Sequence, residues 1–262
     1  MIYNKNVAFF ALSTSLDYLV VGSLLLWFYR KYGGQKLSFS KEYGKQLLKV
    51  SKHFILPGLM VSIYAQTDKM MLKHMINPAE NGYYSTAVSL CSVWCFLLTA
   101  IIESMNPPIM EDHRNGNLIG YNRKNKILYA LIFYISICVS AIYCLAAPFA
   151  ISILYGEAYA PTTGPLRIIT WYTAFSYLGV ARNAWIVCEN KQKYLIWVYL
   201  SAAVCNVILN VLFIPLWGAS GAALASLIAQ IITTMVSPFF IKEIRPNGKM
   251  MLDAILLKGI RK

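Results

Sequence analysis

Polar side chains interrupt the apolar stretches of this sequence at a few positions, and chemistry is expected there. Asn206 and Asn210 stand four residues apart in one apolar run, so on a helix both amides lie on one face and can hydrogen-bond to a neighbour. Asp17 lies near the middle of another run, and Arg182 lies in a third. A charge at such a depth costs several kcal/mol unless it is paired or hydrated, so we expect Asp17 to face protein or a cavity.

A further polar group closes the apolar run that begins near residue 54. It holds Gln66, Asp68, Lys69 and Lys73, and no other apolar run is as polar. Asp68 and Lys69 have opposite charges, but adjacent residues do not face each other on a helix. Lys73 is expected to extend its stem towards the membrane surface.

The composition determines what kind of elements position these side chains. Of the 262 residues, 58% are hydrophobic and only 13% are charged, whereas a soluble domain carries about 25% charged residues. The chain is therefore predicted to be an all-α polytopic membrane protein. At roughly 20 residues per span, about six to eight helices fit its length.

Apolar runs and their breaks predict about seven transmembrane helices. They are expected at Val7–Phe28, Phe54–Ile76, Gly82–Ser104, Ile127–Ala147, Leu166–Val187, Tyr194–Ile214 and Ala219–Ile241. Because proline disrupts a helix interior, we expect the third helix to end at Pro107 and Pro108 and the fourth at Pro148.

The net charge of +13 is explained by topology rather than by nucleic-acid binding. Nineteen of the 24 lysines and arginines lie in the breaks after the first, third and fifth predicted helices or in the C-terminal tail. Basic loops stay in the cytoplasm, so the N-terminus is predicted outside and the C-terminus inside a prokaryotic cytoplasmic membrane. The basic segment Arg30–His53 fits either a helix lying in the membrane surface or a charged loop.

The segment from Asn206 to Ser226 predicts a helical hairpin. A Pro-Leu-Trp-Gly turn at residues 215–218 separates two apolar helices, and the second begins with small residues that allow a neighbouring backbone to come close. Such a hairpin is expected to pack against other helices.

A membrane-embedded acyl or glycosyl transferase is the rival reading, and the sequence gives it little support. Such an enzyme needs a base near a nucleophile or a metal. The histidines His53, His74 and His113 lie at helix ends or in breaks, with no HExxH motif or acid-rich loop beside them. We therefore expect a protein that is not an enzyme and has no cofactor.

The order of several short motifs resembles one family of membrane transporters. They are Gln66-x-Asp68-Lys69, the Gly82-Tyr83-Tyr84-Ser85-Thr86-Ala87 run, Pro108, Leu154-Tyr155-Gly156 with Tyr159, Asn206-xxx-Asn210, Ile214-Pro215, Gly218 and Gly221-Ala222-Ala223. This order resembles the C-terminal half of the polysaccharide-exporter flippases, the O-antigen and lipid-linked-oligosaccharide translocases of the multidrug and oligosaccharidyl-lipid exporter superfamily.

The resemblance implies a domain organisation. Members of that family have two six-helix lobes that face each other across a cavity. By this likeness the chain comprises the last helix of a first lobe (1–29), a basic cytoplasmic linker with an in-plane amphipathic helix (30–53), the six-helix C-terminal lobe (54–241) and a basic cytoplasmic tail (242–262). Five helices of the first lobe have no counterpart, so we expect a truncated or split form that pairs with a partner lobe.

The resemblance also implies a substrate and a mechanism. These transporters turn lipid-linked polysaccharide precursors of the O-antigen or capsule type, including lipopolysaccharide precursors, across the cytoplasmic membrane by alternating access. Membrane lipids and a lipid-linked oligosaccharide are then the expected partners, with no nucleic acid. The expected cavity residues are Arg182, Lys69, Gln66 and Asp17. For Arg182 a structural ion pair or an interfacial anchor remains open, and so does a membrane subunit that does not itself flip lipids.

A cation site is the last feature that the resemblance implies. In the murein-precursor branch of the superfamily, transport is coupled to an ion bound by an acid, an i, i+4 polar pair and a hydroxyl. Asp68, Asn206 with Asn210, and Ser226 resemble those positions, so coupling to Na⁺ or H⁺ is expected. The alternative for the two asparagines is hydrogen bonding between helices.

Overall fold

A computed structural model describes residues 7–34, 38 and 40–259, and the all-α fold is confirmed in them, with no strand. Lys36, Arg261 and Lys262 of the predicted basic segments lie outside the described residues. The helices are α1 (Val7–Lys31), α2 (Lys41–Met75), α3 (Pro78–Ser92), α4 (Cys95–Arg114), α5 (Leu118–Tyr155), α6 (Thr163–Cys188), α7 (Leu195–Ile231), α8 (Ser237–Phe240) and α9 (Arg245–Ile255).

The chain divides into two compact units, Met1–Val50 and Ser51–Lys262, and the boundary falls within α2. In the first unit, α1 ends in aromatic and basic side chains. The Lys31 ammonium lies 4.5 Å from the centre of the Trp27 ring. Aromatic rings with a nearby cation are typical of a helix end at a membrane surface.

In the second unit, α7 is a hairpin of two helical arms, residues 195–217 and 219–231. The arms join at Gly218, whose φ of 53° and ψ of −129° are not helical. Asn206 and Ser226 would lie about 30 Å apart on a straight helix, yet their side chains are 3.4 Å apart. The predicted hairpin is confirmed, and Gly218 is its turn.

Small residues let the two arms of α7 approach. A Cβ atom at Gly221 would collide with the backbone carbonyl oxygen of Phe213 in the opposite arm. The side chains of Ala222 and Ala223 are completely buried. Close contact between helix backbones is what glycine and alanine permit in membrane proteins.

Contacts at one end of the second unit join segments that are distant in sequence. The backbone N–H of Ala219 donates to the Glu80 carboxylate at 2.6 Å. The rings of Tyr83 and Tyr159 meet edge to face, with centroids 6.0 Å apart. The starts of α3, of α6 and of the second arm of α7 therefore lie together, as helices that alternate in direction require.

The opposite end carries the ion pairs of the basic segments. Lys124 pairs with Asp112 at 2.8 Å, and Lys126 pairs with Asp253 at 2.9 Å. The loop between α4 and α5 and the helix α9 thus lie at the same end. The orientation of this end with respect to the membrane stays a prediction.

By length and composition, two described helical runs can cross a membrane, Leu118–Tyr155 and Gln192–Phe240, and the bent pair α3 and α4 adds a third if it is one span. The second run includes the α7 hairpin and therefore contains two antiparallel apolar arms. The described residues thus form an all-α membrane protein. The count of seven spans stays a prediction.

The prediction that prolines end two helices is wrong. α4 continues through Pro107 and Pro108, and α5 continues through Pro148. A proline at 148 leaves the carbonyl of Cys144 without its helical N–H donor. The guanidinium Nε of Arg167 donates to that carbonyl at 3.1 Å and replaces the missing hydrogen bond.

The basic tail contains a helix, α9, that packs on α5, which the sequence did not predict. The side chains of Met251 and Ala254 are completely buried. The amide Nδ2 of Asn247 donates to the hydroxyl of Tyr129 at 2.8 Å. The described residues after 241 therefore contribute to the core of the second unit as well as to its charged end.

Candidate functional site

Asp68 is the centre of a buried polar cluster in the second unit. It lies near the C-terminal end of α2 and is 2% exposed. Three donors reach its carboxylate: Asn210 Nδ2 at 2.6 Å, Ser226 Oγ at 2.5 Å and Tyr84 OH at 2.7 Å. Hydrogen bonds to a carboxylate are stronger than neutral ones, so this cluster ties α2 to α3 and to both arms of α7.

The α7 hairpin brings the two asparagines and the serine together. Asn210 Nδ2 donates to Asn206 Oδ1 at 3.0 Å, one helical turn away. Asn206 Nδ2 lies 3.4 Å from the hydroxyl of Ser226 on the second arm. All four residues that the resemblance implied for a cation site therefore lie in one cluster.

Tyr84 is a member of this cluster that sequence reasoning missed. Its ring is buried, and its hydroxyl contacts both the Asp68 carboxylate and Ser226 Oγ, the latter at 3.3 Å. The residue belongs to the Gly82–Ala87 motif, which signalled the family resemblance but gave Tyr84 no role. Because Tyr83 stands beside it, spacing alone does not show which of the two tyrosines reaches the cluster.

The cluster forms part of the wall of a cavity of about 410 Å³ between α2, α3, α4, α6 and the second arm of α7. Its polar lining includes Gln66, Asp68, Lys69, Tyr84, Thr173 and Ser226. Lys69 is half-buried and Gln66 is exposed. The sequence-predicted residues Gln66 and Lys69 thus lie on the same cavity as the predicted cation-site residues Asp68 and Ser226.

Arg182 does not line this cavity. Its side chain is completely buried within α6, and none of its three guanidinium nitrogens has a hydrogen-bond acceptor among the described residues. The structure thus places it apart from Lys69 and Gln66. No carboxylate pairs with it in the described part of the chain.

Asp17 belongs to the first unit, on α1, and its side chain is exposed there. The expectation that this carboxylate faces protein or a cavity stays a prediction. The polar residues of the second unit cover one another because several helices converge on them.

The oxygen atoms of the cluster fit a hard monovalent cation. The carboxylate of Asp68, the hydroxyls of Ser226 and Tyr84 and the amide oxygens of Asn206 and Asn210 are the donor types such ions prefer. Asn210 Oδ1 is buried and accepts no hydrogen bond from the residues that the structure describes, so this oxygen is available as a ligand. No group of three or more His, Cys, Asp or Glu side chains suitable for a metal occurs among the described residues.

Comparisons with known proteins match this chain to polysaccharide biosynthesis proteins and to a lipid flippase. A family model described as "Polysaccharide biosynthesis protein" matches residues 10–164. The capsular polysaccharide biosynthesis protein CapF of Staphylococcus aureus is 20% identical over 176 residues, which cover 67% of this chain and 44% of that protein. The lipid II flippase MurJ of Bacillus subtilis (strain 168) is 25% identical over 204 residues, covering 72% of this chain and 37% of that protein.

The chain spans about two fifths of the length of these curated relatives. No solved structure matches it.

Proposed function

The chain belongs to the polysaccharide biosynthesis protein family, and from this membership we propose that it forms part of a transporter that flips lipid-linked polysaccharide precursors across a membrane. The precursor is of the O-antigen or capsule type, linked to its lipid through a diphosphate. The role proposed for it is transport rather than catalysis, as the family membership suggests.

One observation carries this proposal: a cavity of about 410 Å³ between helices, with Lys69 and Gln66 on its wall. A sugar diphosphate cannot cross hydrocarbon unaided, since each unpaired polar group costs several kcal/mol there. A cavity that opens to one side at a time supplies water and ligands along the way. The Lys69 ammonium is the group that contacts the diphosphate, with Gln66 beside it to bind the sugar.

A facing lobe completes the cavity in this proposal. Transporters of this kind alternate by rocking two lobes against each other, and this chain corresponds in length to less than half of its curated relatives. The second wall is therefore supplied by a partner chain or by a further segment. In this proposal residues 54–241 form one lobe, residues 1–29 and 30–53 form the helix and linker before it, and residues 242–262 form the cytoplasmic tail.

The Asp68 cluster is proposed as the coupling site, for Na⁺ or for H⁺. Asp68, Asn206, Asn210 and Ser226 would hold the cation, and Tyr84 adds a fifth oxygen ligand. The free Asn210 Oδ1 supports this assignment. When bound, the cation neutralises the Asp68 charge and lowers the cost of moving this end of α2 relative to α7.

The basic residues support the orientation proposed for the chain. The end with the pairs Lys124–Asp112 and Lys126–Asp253 faces the cytoplasm, and the end with Glu80 and Gly218 faces outward. The N-terminus is then outside and the C-terminus inside a prokaryotic cytoplasmic membrane.

Binding of a diphosphate headgroup tests this function. The full chain is purified in nanodiscs and titrated with a short-chain polyprenyl diphosphate sugar that carries a fluorophore, followed by fluorescence anisotropy. We expect Lys69→Ala to weaken binding at least about tenfold, because a hydrogen bond to a charged group contributes about 1.5–3 kcal/mol.

Lys73→Ala is the matched control, since Lys73 lies one turn further along α2 and is exposed. It is expected to bind the lipid as tightly as the wild type. Two results contradict the proposal. One is that the wild type binds the lipid without its diphosphate as tightly as the diphosphate lipid. The other is that Lys69→Ala binds the diphosphate lipid as tightly as the wild type does.

A further inference from the structure

Glu80 links two helices at one end of the second unit. It lies in the first turn of α3, where its own backbone N–H donates to the side chain of the capping residue Asn77 at 2.9 Å. Its half-buried side chain leaves α3 and accepts the backbone N–H of Ala219 at 2.6 Å. Glu80, whose backbone is fixed in α3, thus binds the second arm of α7 through its side chain.

Glu80 contacts the second arm at the turn of the α7 hairpin. Gly218 has a φ of 53°, a conformation that glycine adopts without strain. A Cβ atom added at this position would lie 2.5 Å from Glu80 Oε2. The absence of a side chain at 218 therefore serves two purposes, the turn itself and the approach of the Glu80 carboxylate.

The negative charge of the Glu80 carboxylate complements the partial positive charge at the start of the second arm. The first N–H groups of a helix have no acceptor within the helix, and the helix dipole places partial positive charge there. Ala219 is the first residue after the turn, and its N–H donates to the side chain of Glu80, which lies on α3. Glu80 is thus an N-terminal cap that another helix supplies.

Glu80 and Tyr84 hold the second arm at two levels. They are four residues apart on α3, so their side chains lie on one face. Glu80 binds Ala219, and the Tyr84 hydroxyl lies 3.3 Å from Ser226, two helical turns further along the arm. The contact between Glu80 and Ala219 therefore sets the register in which the contact between Tyr84 and Ser226 forms.

We propose that Glu80 is a positioning residue that fixes the register of the second arm of α7, so that the hydroxyl of Ser226 reaches Asp68. We call the contact between the Glu80 carboxylate and the Ala219 N–H the Glu80 clamp. Its importance for ion coupling rests on the proposed function, but the clamp itself does not. Without the Glu80 carboxylate, the Ala219 N–H loses its acceptor, and the second arm of α7 loses the contact that fixes its register. Ser226 then leaves Asp68 with fewer donors.

A cysteine pair reports the position of the arm. A Cβ atom at Gly164 would lie 3.9 Å from the Cβ atom of Ser220, within the range of disulfides. The double variant Gly164→Cys, Ser220→Cys is made in the full chain, oxidised with copper phenanthroline in nanodiscs, and the cross-linked peptide is followed by mass spectrometry. We expect rapid cross-linking, slowed at least about fivefold by Glu80→Ala.

Two further variants separate the clamp from general damage. Glu80→Gln keeps an oxygen that accepts the Ala219 N–H, so its cross-linking rate is expected to lie between those of the parent and Glu80→Ala. Glu157→Ala removes an exposed carboxylate that follows α5, at the same end of the unit, and is expected to leave the rate unchanged. Parental cross-linking in Glu80→Ala, or equal slowing in Glu157→Ala, overturns the proposal.

A second measurement connects the clamp with the Asp68 cluster. The unfolding temperature of the variants without engineered cysteines is compared in sodium and potassium chloride and at two pH values. The proposal expects Glu80→Ala to lose at least half of the wild-type response, and a full response despite slowed cross-linking overturns it. If the wild type itself responds to neither ion nor pH, the coupling site fails as a proposed function, and cross-linking alone decides whether Glu80 clamps the arm.

Discussion

The hydroxyl of Ser226 donates to the carboxylate of Asp68 at 2.5 Å, across 158 positions of sequence. Both groups are buried at the level where α2 meets the hairpin of α7. A hydrogen bond to a carboxylate in a low-dielectric interior is stronger than one between neutral groups. In the proposed function, this pair is the point at which a bound cation would control the packing of α2 and α7.

Replacement of Asp68 by Asn tests the coupling site. The variant keeps the size of the side chain but removes the charged ligand of the cluster, so a bound cation loses most of its affinity. We expect the wild type to unfold at a higher temperature in sodium chloride than in potassium chloride at equal ionic strength, because a ligand bound to the folded state stabilises it. Asp68→Asn is expected to lose this difference.

Asp253→Asn is the control for this measurement, since Asp253 forms a partly exposed ion pair with Lys126 far from the cluster. It is expected to keep the sodium response. An unchanged response in Asp68→Asn removes the sodium site. A response of the wild type to pH alone assigns the coupling to protons.

Two glycine-to-alanine substitutions test the packing of the hairpin. A methyl group at Gly221 would collide with the carbonyl oxygen of Phe213, and a backbone atom cannot move aside cheaply. We expect Gly221→Ala to lower the free energy of unfolding by about 1–3 kcal/mol. Thermal unfolding of the purified protein, followed by circular dichroism, measures the change.

Gly82→Ala is the matched substitution, because Gly82 lies within α3. Apart from its chain neighbours and the nearby backbone of α3, no atom of the described residues lies within 4 Å of the position its Cβ would take. Alanine favours the helix by up to about 1 kcal/mol, so this variant is expected to be as stable as the wild type or more so. Equal stability of the two variants would mean that the arms of α7 are not in contact at Gly221.

Replacement of Arg182 by Met tests whether its charge has a partner. All three guanidinium nitrogens lack an acceptor among the described residues, and an uncompensated buried charge costs several kcal/mol. Methionine removes the charge and keeps an unbranched, mostly apolar side chain. We expect Arg182→Met to unfold at the same temperature as the wild type or higher, and to bind the diphosphate lipid with unchanged affinity.

Arg123→Met makes the same substitution at an exposed position on α5 and is expected to change little. A fall of more than about 5 °C in Arg182→Met, with Arg123→Met unchanged, corresponds to roughly 1–2 kcal/mol. That result would show that the guanidinium is paired in the membrane.

Several features could be predicted from the sequence because they depend on neighbouring residues. Long apolar runs predict helices, and the four-residue spacing of Asn206 and Asn210 places both amides on one face. The turn residues before Gly218 predict the reversal of the chain. Each of these inferences uses only the helical period and local backbone preferences, which act over a few residues.

Other features could not be predicted because distant residues supply the missing interaction. Pro148 was expected to end a helix, but the side chain of Arg167 satisfies the carbonyl that the proline leaves free. Tyr84 and its neighbour Tyr83 look alike in the sequence, and only the position of α3 directs the hydroxyl of Tyr84 to Asp68.

The sequence by itself determined that this chain forms apolar helices, reverses at Gly218 and gathers its basic residues in alternate breaks. Only the tertiary structure decided that Asp68 and Ser226 meet, that Arg182 lies apart from the cavity and that Glu80 caps a helix other than its own. The reason is that helix formation is decided by residues within a few turns, whereas the choice of which faces meet depends on close packing between segments far apart in the chain.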